Sequence, residues 1–120
     1  MGKANILVCD DERGVRESLK MILEKDYTLV YATNGQEALD YVKTHDPALV
    51  IMDVKMPRMS GLEALRQMKM VKPNIRVFII TGYEASDVAT EAINLGADDY
   101  LVKPFERQKV QAQVSAILSR

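Results

Sequence analysis

The chain has 120 residues, 48% hydrophobic and 28% charged, which suits one domain with one buried core and excludes a disordered segment. Its 16 basic and 17 acidic residues leave a net charge of −1 with no Lys/Arg cluster, which argues against direct nucleic-acid contact and against a polybasic membrane patch. One cysteine, Cys9, and one histidine, His45, exclude an intrachain disulfide, a multi-cysteine zinc site and a histidine-rich metal site.

In chain order, a short apolar run over 6–9 predicts a first strand, and Val15, Leu19, Ile22 and Leu23 follow it at helical spacing. The run 27–32 predicts a second strand; Asn34-Gly35 then precedes a helix marked by Ala38, Leu39 and Val42. The run 48–52 predicts a third strand, with Ser60 as N-cap of a helix carrying Leu62, Leu65 and Met68. Pro73-Asn74 marks the loop before a fourth strand over 75–80. Ser86 or Asp87 opens the next helix, whose stripe is Val88, Ala92 and Leu95 and whose C′ residue is Gly96. The run 99–102 predicts a fifth strand, followed by Val110, Val114, Ile117 and Leu118. The runs are nearly continuous rather than alternating, as in parallel strands buried on both faces. Five βα units with no linker or repeat imply one domain over 1–120, an α/β open doubly wound sheet with five helices. The order 2-1-3-4-5 suits five strands better than the six-strand alternative. With no signal-peptide core and no run of membrane-spanning length, a soluble, cytoplasmic protein is expected.

Function in such a sheet gathers at the carboxyl ends of the strands. Asp10-Asp11-Glu12 follows strand one, strand three ends at Asp53, strand four at Thr81 and strand five at Lys103-Pro104. Strands one and three flank the switch point of the 2-1-3-4-5 order, so Asp10, Asp11 and Asp53 converge there. Each close carboxylate pair costs on the order of 4 kcal/mol at an effective dielectric of about 20, which calls for a cation. Hard oxygen donors suit Mg²⁺, which keeps several waters and shares phosphate oxygens. Lys103 adds a second positive charge and Thr81 a hydroxyl donor. A carboxylate nucleophile, a Mg²⁺ site, a cationic clamp and a hydroxyl form a phosphoryl-transfer constellation. Singly, each residue has a plainer reading: an N-cap for Asp10 or Asp11, a strand end for Thr81, a solvated amine for Lys103. The fold places all of them on one rim.

The runs Ile6-Leu7-Val8-Cys9-Asp10-Asp11, Asp53-Val54-Lys55-Met56-Pro57-Arg58-Met59-Ser60-Gly61, Thr81-Gly82, Gly96-Ala97-Asp98-Asp99-Tyr100 and Lys103-Pro104-Phe105 resemble the response-regulator receiver domains of two-component and phosphorelay systems. The similarity covers essentially the whole chain. It implies a flavodoxin-like fold, with Asp53 as phosphoacceptor and a phosphohistidine on a sensor histidine kinase or histidine phosphotransferase as donor. It also implies Mg²⁺ held by Asp11, by Asp10 through water, by Asp53 and by the backbone carbonyl of Lys55. Thr81 would bond a phosphoryl oxygen, Lys103 would ion-pair with it, and Tyr100 would couple its rotamer to Thr81. The Lys103-Pro104 bond is expected to be cis. Phosphorylation would then alter the surface around strands four and five and helices four and five. That face is also where a homodimer could form, and the output is often transcription.

Departures from the family pattern are modest. Lys55 and Tyr83 stand two residues after Asp53 and Thr81, where they border the approach of hydrolytic water, so slow dephosphorylation is expected. Gly14, Val15 and Ser18 lie beside the acids and, with Pro104, read as a partner-docking surface; for Gly14, helix-start flexibility is an equal alternative. Cys9 reads as a small buried hydrophobe, His45 as an exposed loop residue, and Met52, Met56, Met59 and Met68 as packing. A phosphatase with an aspartyl nucleophile would carry a second acid where Lys55 stands, and an FMN carrier would not tolerate Asp-Asp-Glu in its first loop. A phosphorylation-independent interaction module of the same fold is the remaining alternative, although such modules usually lack the acids or the lysine.

Overall fold

Short Val/Ile-rich runs punctuated by amphipathic stretches give a strict alternation of strand and helix. In a computed structural model, residues 2–82 and 86–120 are described, Ser86 through its backbone alone. The strands are β1 (Asn5–Cys9), β2 (Thr28–Ala32), β3 (Leu49–Met52), β4 (Val77–Thr81) and β5 (Asp99–Val102). The helices are α1 (Arg13–Leu23), α2 (Gly35–Thr44), α3 (Gly61–Val71), α4 (Ser86–Asn94) and α5 (Arg107–Leu118). All pairings are parallel and the order is β2-β1-β3-β4-β5, as expected.

The two-residue period of the strands divides the core into two layers. Leu7, Cys9, Val50, Met52, Val77 and Ile79 face α2, α3 and α4, where they meet Ala38, Leu39, Leu65 and Met68. Ile6, Val8, Leu49, Ile51, Phe78 and Ile80 face α1 and α5, against Leu19, Leu23, Val110 and Val114. The central strands are buried throughout except for the exposed Asn5 at the start of β1. β2 and β5 lie at the edges, and Tyr31 is 40% exposed. The expectation of burial on both faces therefore holds for β1, β3 and β4 and fails at the edges, where one neighbour is missing.

Caps fix where the helices start and stop. Asn34 accepts from the Glu37 N–H (2.8 Å) and Ser60 from the Glu63 N–H (3.2 Å), each satisfying an unpaired donor of the first turn. Gly96 takes φ +102° and ends α4 in a Schellman arrangement, with Gly96 N–H on Ile93 O and Ala97 N–H on Ala92 O. α1 begins differently. Its N-cap is Glu12, with no side-chain cap bond, so neither Asp10 nor Asp11 caps it.

Candidate functional site

The rim at the carboxyl ends of β1, β3, β4 and β5 collects the charged residues. Asp10 directly follows β1 and its N–H donates to Ala32 O (3.1 Å), so the ladder to β2 orients its side chain. Asp53 directly follows β3 and is held the same way, its N–H donating to Cys9 O (3.1 Å). Lys103 follows β5, and its N–H donates to Thr81 O (2.8 Å). Asp10 is 2% exposed, Asp53 5% and Thr81 0%, so the rim is a set of anchored groups rather than a solvated fringe. The Lys103-Pro104 peptide is cis.

One ammonium ties the acids together. Lys103 Nζ lies 3.0 Å from Asp10 Oδ2, 3.0 Å from Asp53 Oδ2 and 3.3 Å from Glu12 Oε1. The other carboxylate oxygens take backbone donors: Glu12 N–H reaches Asp10 Oδ1 at 2.9 Å, and Val54 N–H reaches Asp53 Oδ1 at 2.7 Å. Arg16, one turn into α1, donates to the Asp10 carbonyl at 2.8 Å. Burial pushes the Asp10 carboxyl above its ordinary value; the Glu12 N–H and Lys103 pull against that shift, and Asp53 adds to it. Burial alone would lower Lys103, but its bonds to Asp10 and Asp53 and their charges raise it instead. The thiol of Cys9 is pushed up to about 12, by burial first and then by the nearby carboxylates.

A cleft of about 480 Å³ opens over this pair, lined by Asp11, Glu12, Asp53, Lys55, Thr81, Gly82 and Lys103. Ligand atoms of Asp10, Asp11, Glu12 and Asp53 all lie within 4.8 Å of one another. That is an all-oxygen donor set of the hard kind that Mg²⁺ prefers. Thr81 Oγ1 is buried and has no hydrogen-bond partner among the described residues. A buried hydroxyl left without a partner is costly, and here it borders a cleft able to receive an acceptor. The donor set and the orphan hydroxyl fit a divalent cation and an oxyanion side by side.

The loop after β3 completes the wall. Gly61 N–H donates to Val54 O (2.7 Å), and a Cβ on Gly61 would overlap the Asp53 carbonyl, so only glycine lets α3 start this close. Arg58 sits at φ 68° in a turn closed by Met59 N–H on Pro57 O (2.8 Å), a positive-φ γ-turn rarely adopted outside glycine.

The residues singled out by sequence fall as follows. Asp10, Asp11, Asp53, Lys55, Thr81 and Lys103 meet on this rim. Tyr100 pairs with Ile79 in the β4–β5 register, two residues before the Thr81–Val102 pair; it is half-buried against the α2/α3/α4 layer. Thr81 and Tyr100 thus share one face of the sheet. Gly14, Val15, Ser18 and Pro104 line one groove beside the acids, together with Glu12, Lys103 and Phe105. Tyr83 lies outside the described residues. Sequence reading passed over Glu12 and Arg16. The signal for Glu12 was its place as the third acid of a run; for Arg16 it was a position one turn beyond that run, in the helix that follows it.

Fold and rim together define a class of signalling domain, and comparison with known proteins gives it a family. Residues 6–115 match the response regulator receiver domain, and the chain belongs to that family. The response regulator MprA of Mycolicibacterium vanbaalenii is 39% identical over 116 residues, covering 96% of this chain and 50% of the relative. The chain therefore spans about half the length of the relatives it matches. Among solved structures, the CheY-like receiver domain protein of Methanospirillum hungatei superimposes with a TM-score of 0.93 at 28% identity, covering 98% of this chain and 95% of the other. The CheX-CheY-BeF3-Mg complex of Borrelia burgdorferi gives 0.93 at 26%, covering 98% and 90%. The chain is a receiver domain of the two-component response-regulator type, and that family is one of phosphoacceptor signalling domains. Receiver domains hold Mg²⁺ at an acidic site, and the acidic cluster is present. No helix among the described residues is long and apolar enough to cross a membrane.

Proposed function

We propose that the whole chain, 1–120, is one cytoplasmic receiver unit. It takes a phosphoryl group onto Asp53 from the phosphohistidine of a sensor histidine kinase or a histidine phosphotransferase, and it catalyses that transfer itself. The observation that carries this reading is the buried Thr81 hydroxyl, without a hydrogen-bond partner among the described residues, on the rim that holds the Asp53–Lys103 pair. Asp10, Asp11, Asp53 and the Lys55 carbonyl would hold Mg²⁺, which supplies positive charge against the transferring phosphoryl oxygens when bound. Val54 N–H fixes Asp53 Oδ1, leaving Oδ2, the oxygen that faces Lys103, as the attacking atom. Its new bond to phosphorus forms as the phosphorus–nitrogen bond of the donor breaks, the electron pair staying on the imidazole nitrogen. Lys103 then turns its ammonium to the phosphoryl oxygens, and Thr81 donates its hydroxyl to one of them.

The added charge, up to about −2, would draw Thr81 toward the phosphoryl group and let Tyr100 move into the space on the same face. That changes the β4/β5 surface and the α4/α5 surface that controls the output, often transcription, or a relay partner. The groove of Gly14, Val15, Ser18 and Pro104 would seat the donor's helix; apart from its chain neighbours and its own helix backbone, no atom of the described residues lies within 4 Å of a Cβ on Gly14. The α4/β5/α5 face would serve a homodimer, while nucleic acid and membrane are left to other parts of the system.

Lys55 is exposed and lines the cleft, where its long cationic side chain hinders a water approaching in line with the phosphorus. Lys55→Asn is expected to speed loss of the phosphoryl group roughly fivefold, equivalent to about 1 kcal/mol of barrier, as followed by radiolabel decay. An unchanged decay would remove Lys55 from control of lifetime. The reading as a whole is tested with acetyl phosphate and Mg²⁺. Intact mass should rise by one phosphoryl group that base or hydroxylamine removes, and Asp53→Asn should abolish the gain. Labelling that survives Asp53→Asn, or that ignores the metal, would leave only a phosphorylation-independent module.

A further inference from the structure

Behind the acid cleft, three backbone segments are braced against one another. Cys9, fully buried at the end of β1, lies with Sγ 3.3 Å from the carbonyl of Asn34 and 3.3 Å from Met56 Sδ. The thiol can donate to either acceptor. Asn34 in turn caps α2 through the Glu37 N–H. The next residue, Gly35, opens α2 directly against the loop after β3: a Cβ there would overlap the Met59 carbonyl oxygen. Met56 precedes the γ-turn and Met59 closes it, and Met56 directly follows Lys55. The far end of that loop is pinned by the Gly61 N–H on Val54 O. Its near side is braced from the β2–α2 turn.

We propose that Gly35, assisted by the thiol of Cys9, is a positioning residue for the cation. By letting α2 close onto Met56 and Met59, it sets the direction in which the Lys55 carbonyl points. This rests on the proposed Mg²⁺ role of that carbonyl. A side chain at position 35 must push either α2 or the loop away, and the loop, an irregular segment, yields more readily than a capped helix. Metal sites are sensitive to such outer supports, because ligand direction is set by what lies behind the ligand.

The test is direct binding of manganese(II) to the unphosphorylated chain, followed by the loss of the free-ion EPR signal, with magnesium measured by competition. Gly35→Ala is expected to weaken both ions about tenfold. Cys9→Val, which keeps the volume but removes the donor, should weaken them roughly threefold, and Cys9→Ser should bind more tightly than Cys9→Val despite its poorer fit to an apolar layer. Val114→Ala, a core truncation in α5 remote from the rim, should lose stability while binding as the parent does, which separates positioning from mere softening of the fold. If Gly35→Ala does not fold, the order of the two Cys9 variants decides. Folded variants that bind within twofold of the parent would overturn the brace while leaving the site reading intact. A parent chain that binds neither ion would overturn the site reading and the brace together.

Discussion

Asp10 is the residue at which burial and charge pull hardest against each other. Its carboxyl is nearly inaccessible, and burial raises its pKa despite the Glu12 N–H and the Lys103 ammonium. The folded chain therefore binds the Asp10 proton more tightly than the unfolded chain does. By linkage, this residue's contribution to stability falls as pH rises from the ordinary value of 3.8 through the raised folded value, and the deficit persists at neutral pH. Asp10→Asn should accordingly be more stable than the parent at pH 7 without metal, and the gain should vanish as pH falls below about 4. Urea melts across that range check this; a less stable Asp10→Asn at neutral pH would show that the Lys103 pair outweighs the desolvation. Lys103 runs the other way. Its raised value makes its contribution fully present at neutral pH and lost only as pH climbs above the ordinary lysine value of 10.5. The rim residues were legible in sequence because a polar group directly after an apolar run must emerge at the strand end. Their pairing was not. Sequence reading set the acids against one another in want of a cation, whereas a lysine 93 residues from Asp10 bridges two of them. Only the folded sheet brings it there.

Two adjacent residues at the start of α3 separate the contribution of a cap from that of a close approach. Ser60 satisfies one backbone donor, so Ser60→Ala should cost about 1 kcal/mol. Gly61 has no room for a methyl group beside the Asp53 carbonyl, and Gly61→Ala should cost about 3 kcal/mol or more while displacing the phosphoacceptor. Equal, small losses in urea melts of the two variants would mean that the loop relaxes freely and the close approach is unimportant. Helix positions, Ser60 as cap and Gly96 as C′ residue could be read from punctuation, since each depends on local chemistry. Strand limits were less legible: Tyr27 belongs to the turn after α1, its N–H on Leu23 O, and β4 starts at Val77 rather than Ile75. An apolar residue next to a strand enters the core whether or not it joins the ladder. Nothing local announced the positive φ of Arg58, which the loop's attachment at both ends imposes.

At the scale of the molecule, the parallel sheet is a rigid plate that delivers groups from distant parts of the chain to one edge, and the edge is where charge accumulates. A cation bound only by the folded rim must stabilise the fold by mass action, about 2.7 kcal/mol at a hundredfold excess over its dissociation constant. Thermal melts with and without Mg²⁺ should show that rise in the parent and lose it in Asp11→Asn; an equal rise in both would place the ion elsewhere. The layering of helices over both faces followed from continuous apolar runs, whereas the strand order was not visible in the sequence and came with the family resemblance. The central claim is that this edge directs a phosphoryl group to one carboxylate among several. It is tested most directly by phosphorylating the chain with acetyl phosphate, reducing the acyl phosphate with borohydride, and locating the resulting homoserine by tandem mass spectrometry. Homoserine at position 53 alone, and only in samples containing Mg²⁺, is the result expected; homoserine at position 10 or 11, 5-hydroxynorvaline at position 12, or no reduced residue at all, would contradict it.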